Sequence, residues 1–236
     1  MKRVIIFLAI LVMLTTLVSA DVIFTDQPKE IYNYGDILEI PIKITTTENI
    51  QSTFRLNIIC NGIETNVNSQ DIQLSSGEEK SIKPLIILNK EKVERAGTCL
   101  LKPYLGIQAY NPSQEFTLSE FISVELSEHL TETTPEKQIL VEGSAKKDNG
   151  NLVNGFVELK VIKNNETILT RTNTVKQGYF ILDFTFPKET TATQYLISVN
   201  VYETDSENIQ TNKGYSNYNL RVNQVPTFLE LVFKGL

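Results

Sequence analysis

Apolar and polar residues alternate along most of the chain. Leu38, Ile40, Ile42 and Ile44 alternate with Glu39, Pro41 and Lys43, the period-2 signature of a half-buried strand. Pro41 has no amide proton to donate, so this strand is expected at a sheet edge or at a bulge. Phe54, Leu56, Ile58 and Cys60 share a second face, segments 82–88 and 98–107 predict two further strands, and Ile122, Val124 and Leu126 line a last one. Turn material separates them at Tyr34-Gly35-Asp36, Asn61-Gly62, Ser76-Gly77 and Asn111-Pro112. Residues 90–95 could form one helical turn, and nothing longer is amphipathic.

A polar stretch, 127–137, contains Pro135 and interrupts the alternation, which reads as an interdomain linker. The pattern then restarts. Ile139 and Val141 begin a strand, Lys147-Asp148-Asn149-Gly150 predicts a hairpin turn, and Val157, Leu159 and Val161 share a face. Turns follow at Asn164-Asn165 and Gln177-Gly178. Phe180, Leu182, Phe184 and Phe186 form a strongly apolar face ended by Pro187; Tyr195, Ile197, Val199 and Val201 form another, and Tyr218, Leu220 and Val222 close the series. β-branched and aromatic residues dominate these runs, which favours strand over buried helix. Short strands at this spacing indicate a sandwich or barrel. The expected fold class is all-β, with two tandem immunoglobulin-like β-sandwich domains at 21–126 and 138–223 behind an N-terminal signal peptide at 1–20. Segment 224–236 reads as a linker and the start of a possible further β domain.

The leader has Lys2 and Arg3 before an apolar run, 4–18, broken only by Thr15 and Thr16, and Val18-Ser19-Ala20 offers a cleavage site. The rival, an uncleaved anchor, would need about 20 apolar residues. Export permits a disulfide, and Cys60 and Cys99, the only cysteines, both fall on inward phases of their strands. A bridge between them would close a loop of about 39 residues; two buried thiols are the alternative. The net charge of −6 becomes about −8 without Lys2 and Arg3. With no Lys/Arg cluster, this argues against nucleic acid, which is held by phosphate neutralisation.

Little chemistry is visible. The one histidine, His129, lies in the linker, which leaves no His-paired nucleophile unless a partner supplies the base and no Cys/His zinc set. No Gly-rich loop joins a strand to a helix, and no cofactor is expected. A carboxylate pair leaves no spacing signature, but a sandwich filled by its own core offers little room for a cleft. Glu203, Asp205 and Glu207 alternate in a predicted loop and are weak candidates for Ca²⁺ ligation; a solvated acidic loop tip is the plainer reading. Asn165-Glu166-Thr167 is an acceptor sequon in a predicted turn, making Asn165 a possible glycosylation site. Tyr215, Asn217 and Tyr218, in the run 213–219, could form a binding surface, since tyrosine offers rigid area with a polar tip; the alternative is a loop entering the final strand with Tyr218 inward.

Residues 148–157, reading DNGNLVNGFV, with Gln177-Gly178-Tyr179-Phe180 and the turn at Pro187, resemble the prokaryotic immunoglobulin-like modules related to carboxypeptidase-regulatory and macroglobulin MG2-type domains. The resemblance covers about 138–223. It implies a seven-stranded sandwich and no catalysis. Segment 21–126 resembles an immunoglobulin-like domain only in strand rhythm and its cysteine pair, and lacks the core tryptophan of antibody domains, since the chain has none. The expectation is a non-enzymatic secreted or cell-surface module acting as spacer, adhesin or envelope component. Its partner would be a surface protein or polysaccharide, and it would meet the membrane only through export or an anchor outside this chain. The alternative is a carbohydrate- or peptide-binding accessory module of a larger exported enzyme.

Overall fold

The computed structural model describes residues 20–224. Residues 1–19, which hold the expected signal peptide apart from Ala20, and 225–236, which hold most of the expected terminal linker and further β domain, lie outside the described residues. The described chain is all-β and divides by its contacts into two compact units, one of residues 20–32 and 36–118, the other of Asn33–Gly35 and 119–224. No helix among the described residues is long and apolar enough to cross a membrane.

The first unit runs through β1 (Ala20–Phe24), β2 (Ile31–Asn33), β3 (Ile37–Glu39), β4 (Ile42–Thr46), β5 (Ile50–Cys60), β6 (Ile63–Leu74), β7 (Glu79–Ile82), β8 (Leu85–Ile87), β9 (Gly97–Leu105), β10 (Gln108–Ala109) and β11 (Phe116–Ser119). One sheet has the order β1-β4-β7, a second the order β2-β11-β9-β5-β6 with β10 beside β9, and β3 pairs with β8. The alternation holds: Leu38, Ile40, Ile42 and Ile44 are all buried. The expected single strand through Pro41 is nevertheless two. Ile40 and Pro41 separate β3 from β4, and Lys83 and Pro84 separate β7 from β8, because neither proline can donate to a ladder. β4 is also the centre of its sheet rather than an edge. The expected isolated turn is present, closed by Val93 N–H donating to the Asn89 carbonyl at 2.9 Å, with Lys92 N–H on the Asn89 side chain at 3.0 Å.

Cys60 and Cys99 are disulfide-bonded, with Cα atoms 4.1 Å apart. They are register partners on β5 and β9, neighbours in one sheet. Asn61 N–H donates to the Thr98 carbonyl at 3.0 Å, so Cys60 and Cys99 form the close, non-hydrogen-bonded kind of pair. The bond therefore staples strands within a sheet, unlike the inter-sheet bond of antibody domains. It fits an oxidising compartment.

The second unit contains β12 (Ile122–Leu126), β13 (Glu132–Thr133), β14 (Gln138–Lys147), β15 (Gly155–Lys163), β16 (Glu166–Val175), β17 (Tyr179–Thr185), β18 (Gln194–Thr204) and β19 (Gln210–Val222). Its sheets have the orders β12-β14-β17 and β13-β19-β18-β15-β16. Ile139, Val141, Phe180, Leu182 and Phe184 from the first sheet and Val157, Leu159, Ile197, Val199 and Leu220 from the second meet in one buried cluster. Two sheets facing across a shared core make a sandwich, and each fully buried side chain of this kind stabilises by about 1.5–3 kcal/mol. Both predicted two-residue turns have positive φ at both positions, 50° and 67° at Asn164-Asn165 and 48° and 76° at Gln177-Gly178, matching the twist of flanking strands.

The boundary expected after Leu126 is corrected. Ile122 to Leu126 pairs antiparallel with β14 from Lys147 to Gly143, so β12 opens the second unit instead of closing the first. The supposed linker 127–137 is also built into that unit: Glu132 and Thr133 pair parallel with Arg221 and Val222, and Glu136 N–H donates to the Phe186 carbonyl at 2.9 Å.

Candidate functional site

The outer face of the five-stranded sheet carries the most distinctive surface of the second unit. On β15, Val157, Leu159 and Val161 point inward, which turns Phe156 and Glu158 outward; on β18, Val199 and Val201 point inward, which turns Asn200 and Tyr202 outward. β19 presents Lys213, Tyr215 and Asn217 to solvent and buries Gly214, Tyr218 and Leu220. The register then assembles cross-strand rows. Phe156 faces Tyr202, which faces Lys213; Glu158 faces Asn200, which faces Tyr215. The Phe156 and Tyr202 rings stack with centroids 5.6 Å apart.

A further ring comes from outside the strands. Phe121 forms an isolated parallel bridge with Lys213, whose N–H donates to the Glu120 carbonyl at 2.8 Å. The Phe121 backbone is held by its N–H on Ser119 Oγ at 3.0 Å, while Ser119 donates to the Asp148 carboxylate. Gly214 makes this approach possible, because any Cβ there would fall on the Ile122 carbonyl. Phe121 and Tyr215 are left 61% and 69% exposed. With Tyr202 they wall an open groove of about 530 Å³, whose polar lining includes Asn200, Asn208 and Gln210.

The groove includes Tyr215, but it separates the expected trio. Asn217 lies one row further along the outer face, and Tyr218 is a core residue, 8% exposed. The run 213–219 is strand throughout, not a loop. The buried Tyr218 hydroxyl has no hydrogen-bond partner among the described residues, its ring lies 4.4 Å from that of His129, and burial pushes its pKa from 10.0 up to about 12. The neutral phenol is thus favoured in the folded state, so its contribution is complete below pH 10 and is lost as pH rises through about 12. Tyr218→Phe removes an unsatisfied buried hydroxyl. It is expected to gain about 1 kcal/mol at pH 7 and to move alkaline unfolding to higher pH, both measurable by urea titration. Lower stability at pH 7 would show that the hydroxyl is satisfied.

The three weak candidates for calcium, Glu203, Asp205 and Glu207, do not converge. Asp205 caps the β18–β19 hairpin, accepting the N–H groups of Glu207 and Ile209 at 3.0 and 2.9 Å. Glu203 turns inward instead: it accepts Asn154 N–H at 3.1 Å and the Asn212 amide at 2.8 Å, and pairs with Lys147 at 3.4 Å. Asn212 is fully buried and also donates to the Tyr34 carbonyl at 2.9 Å. Glu203 is therefore part of a structural network, in which buried polar groups satisfy one another. Among the described residues, no group of three or more His, Cys, Asp or Glu side chains could hold a metal ion. Asn165 sits exposed at the tip of the β15–β16 hairpin.

Phe121, Phe156 and Tyr202 were not singled out from the sequence. Phe156 and Tyr202 do carry a signal, since each is a large ring on the solvent phase of its strand. Phe121 carries none, because its place depends on a bridge to a residue 92 positions away.

No protein-family profile matches the chain, and no curated protein matches it. Among solved structures, a β-glucosidase from Listeria innocua in complex with gluconolactone aligns at 11% identity over 44% of this chain and 16% of its own, with a TM-score of 0.37. The β-glucosidase EmGH1 from Erythrobacter marinus aligns at 16% identity over 43% and 16%, with a TM-score of 0.34. The Pseudomonas fluorescens alkylpurine DNA glycosylase AlkC, bound to DNA containing an abasic site analog, aligns at 12% identity over 46% and 33%, with a TM-score of 0.38. The alignments span a sixth to a third of those chains, and at such scores none of them bears on activity.

Proposed function

We propose that this chain is a non-enzymatic module, secreted or held at the cell surface, that presents a binding face on rigid sandwiches of immunoglobulin-like type. The second unit is read as the carboxypeptidase-regulatory or MG2-like kind. The observation that carries this reading is the aromatic groove on β15, β18 and β19. Phe121 and Tyr215 are exposed to solvent with Tyr202 half-buried beside them, Tyr202 and Tyr215 standing on strands whose other faces are locked in the core, and surface aromatics so placed mark recognition rather than stability. The disulfide supports the external location. The same groove also suits an accessory module that holds carbohydrate or peptide for an exported enzyme, and a catalytic domain in the same native polypeptide would favour that second reading.

The test is location. External protease added to intact source cells is expected to remove the protein, or the protein is expected in the medium, with Cys60 and Cys99 resistant to alkylation until reduced. A chain found in the cytoplasm with both thiols reactive would sink the proposal.

A further inference from the structure

We infer that the groove binds a neutral glycan, an inference that rests on the display reading above. Three features select this class. The first is flat apolar area: Phe121, Tyr202 and Tyr215 supply rings, and Phe156 stacks behind Tyr202. A pyranose ring has an apolar C–H face that packs on such surfaces, with hydroxyls around its rim.

The second feature is the polar lining. Asn200, Asn208 and Gln210 are amides, and each side chain offers both donors and acceptors, as sugar hydroxyls require. Among the described residues, the two charged side chains at the groove have local counterions, Lys213 with Glu120 at 3.5 Å and Glu158 with Lys160 at 2.7 Å. The groove therefore presents balanced charge and has nothing to select an anionic or cationic ligand.

The third feature separates sugar from peptide. An extended peptide binds a sheet chiefly by adding a strand to an open edge. The groove lies on a sheet face, where β18 is paired on both sides by β15 and β19, and β19 is bridged at Lys213 by Phe121. At the groove the main-chain groups of Asn200 to Tyr202 on β18 are already in the ladders, and the Lys213 N–H is bonded to the Glu120 carbonyl. A glycan needs none of them.

The experiment titrates the mature chain with cellohexaose, laminarihexaose and mannohexaose, using calorimetry and tyrosine fluorescence, since the chain has no tryptophan. Oligogalacturonate and an unstructured neutral peptide serve as comparisons. At least one neutral hexaose is expected to bind below ~10 mM, a weak single-site affinity. Phe121→Ala and Tyr215→Ala are each expected to weaken it about 5-fold, the effect of one lost aromatic contact, and the double variant about 25-fold. Tyr179→Ala, an exposed ring on β17 in the opposite sheet, should leave binding unchanged. Melting curves identical to wild type would show that both groove variants are folded, as their exposure predicts. The inference is overturned if no neutral hexaose binds, if the anionic glycan or the peptide binds more tightly, or if the two groove variants bind as well as wild type. An exported chain that ignores these sugars overturns the glycan alone; a cytoplasmic chain overturns the display reading itself.

Discussion

Replacing Cys60 and Cys99 together by alanine is expected to cost the first unit about 4 kcal/mol. The bond spans a sequence separation of 39, and closing a loop of that length removes roughly this much free energy from the unfolded chain in the entropy model. The closed segment is not a simple hairpin. It contains β6, which pairs with β5, and then β7 and β8, which pair with β4 and β3 outside the β5–β9 sheet. The chain thus leaves one sheet, contributes to two other ladders and returns to the register partner of its starting point. Without the bond, that return depends on the β5–β9 ladder and the core alone. Both sulfur atoms belong to buried residues, 3% and 1% exposed, so alanine adds no polar group and the loss is one of linkage and packing. A domain of this size has about 5–15 kcal/mol in total, and a loss of this size lowers its melting temperature by roughly 15–30 °C. The measurement is thermal unfolding with hydrogen exchange read at β5 and β9, in the variant and in wild type under reductant. The two should agree. A loss under about 1 kcal/mol in both would mean that the ladder fixes the fold unaided, leaving the bond with no structural role.

That bond also shows what period-2 reasoning reaches. Alternation placed both cysteines inward because Phe54, Leu56 and Ile58 share a phase with Cys60, and Leu101 with Cys99. It could not say whether the partner strand lay beside β5 or across the core. The same gap misplaced Ile122–Leu126: its pattern is that of a strand in either unit, and only the antiparallel register with β14 assigns it to the second. Local chemistry fared better where it acts locally. Asn164-Asn165 and Gln177-Gly178 are turns because these residues tolerate positive φ, and Pro41 and Pro84 fall in the gaps between β3 and β4 and between β7 and β8. The groove was only partly legible. Tyr215 could be singled out as an aromatic among polar neighbours, but Phe156, Tyr202 and Phe121 reach it from three other places in the chain. Tyr218, four residues from Gly214, belongs to the core because β19 continues through it without a loop.

Gly214→Ala is expected to destabilise the second unit by about 3 kcal/mol or more, and to spoil the groove in molecules that still fold. Gly214 is buried in an extended strand, so backbone conformation does not require glycine there; space does. An added Cβ would fall within van der Waals contact of the Ile122 carbonyl oxygen, 2.7 Å from the carbonyl carbon and 2.9 Å from the Ile122 Cβ. Backbone atoms cannot swing aside as a flexible side chain can. Either β19 or the start of β12 must move, and both are tied into ladders. Alanine would gain up to about 1 kcal/mol over glycine in unfolded-chain entropy, while overpacking costs typically 1–3 kcal/mol and more when backbone must shift, so the clash wins. The movement also has a direction. The bridge between Phe121 and Lys213 lies one residue before Ile122 and Gly214 in each segment, so relieving the clash pulls Phe121 away from the groove wall. Urea unfolding should show the loss, with Ser216→Ala on the same strand staying within about 0.5 kcal/mol of wild type. Exposure of Phe121 to proteolytic cleavage by chymotrypsin should rise in Gly214→Ala under folding conditions. Wild-type stability in Gly214→Ala would mean that the 120–122 segment stands off β19, and the wall that Phe121 gives the groove would go with it.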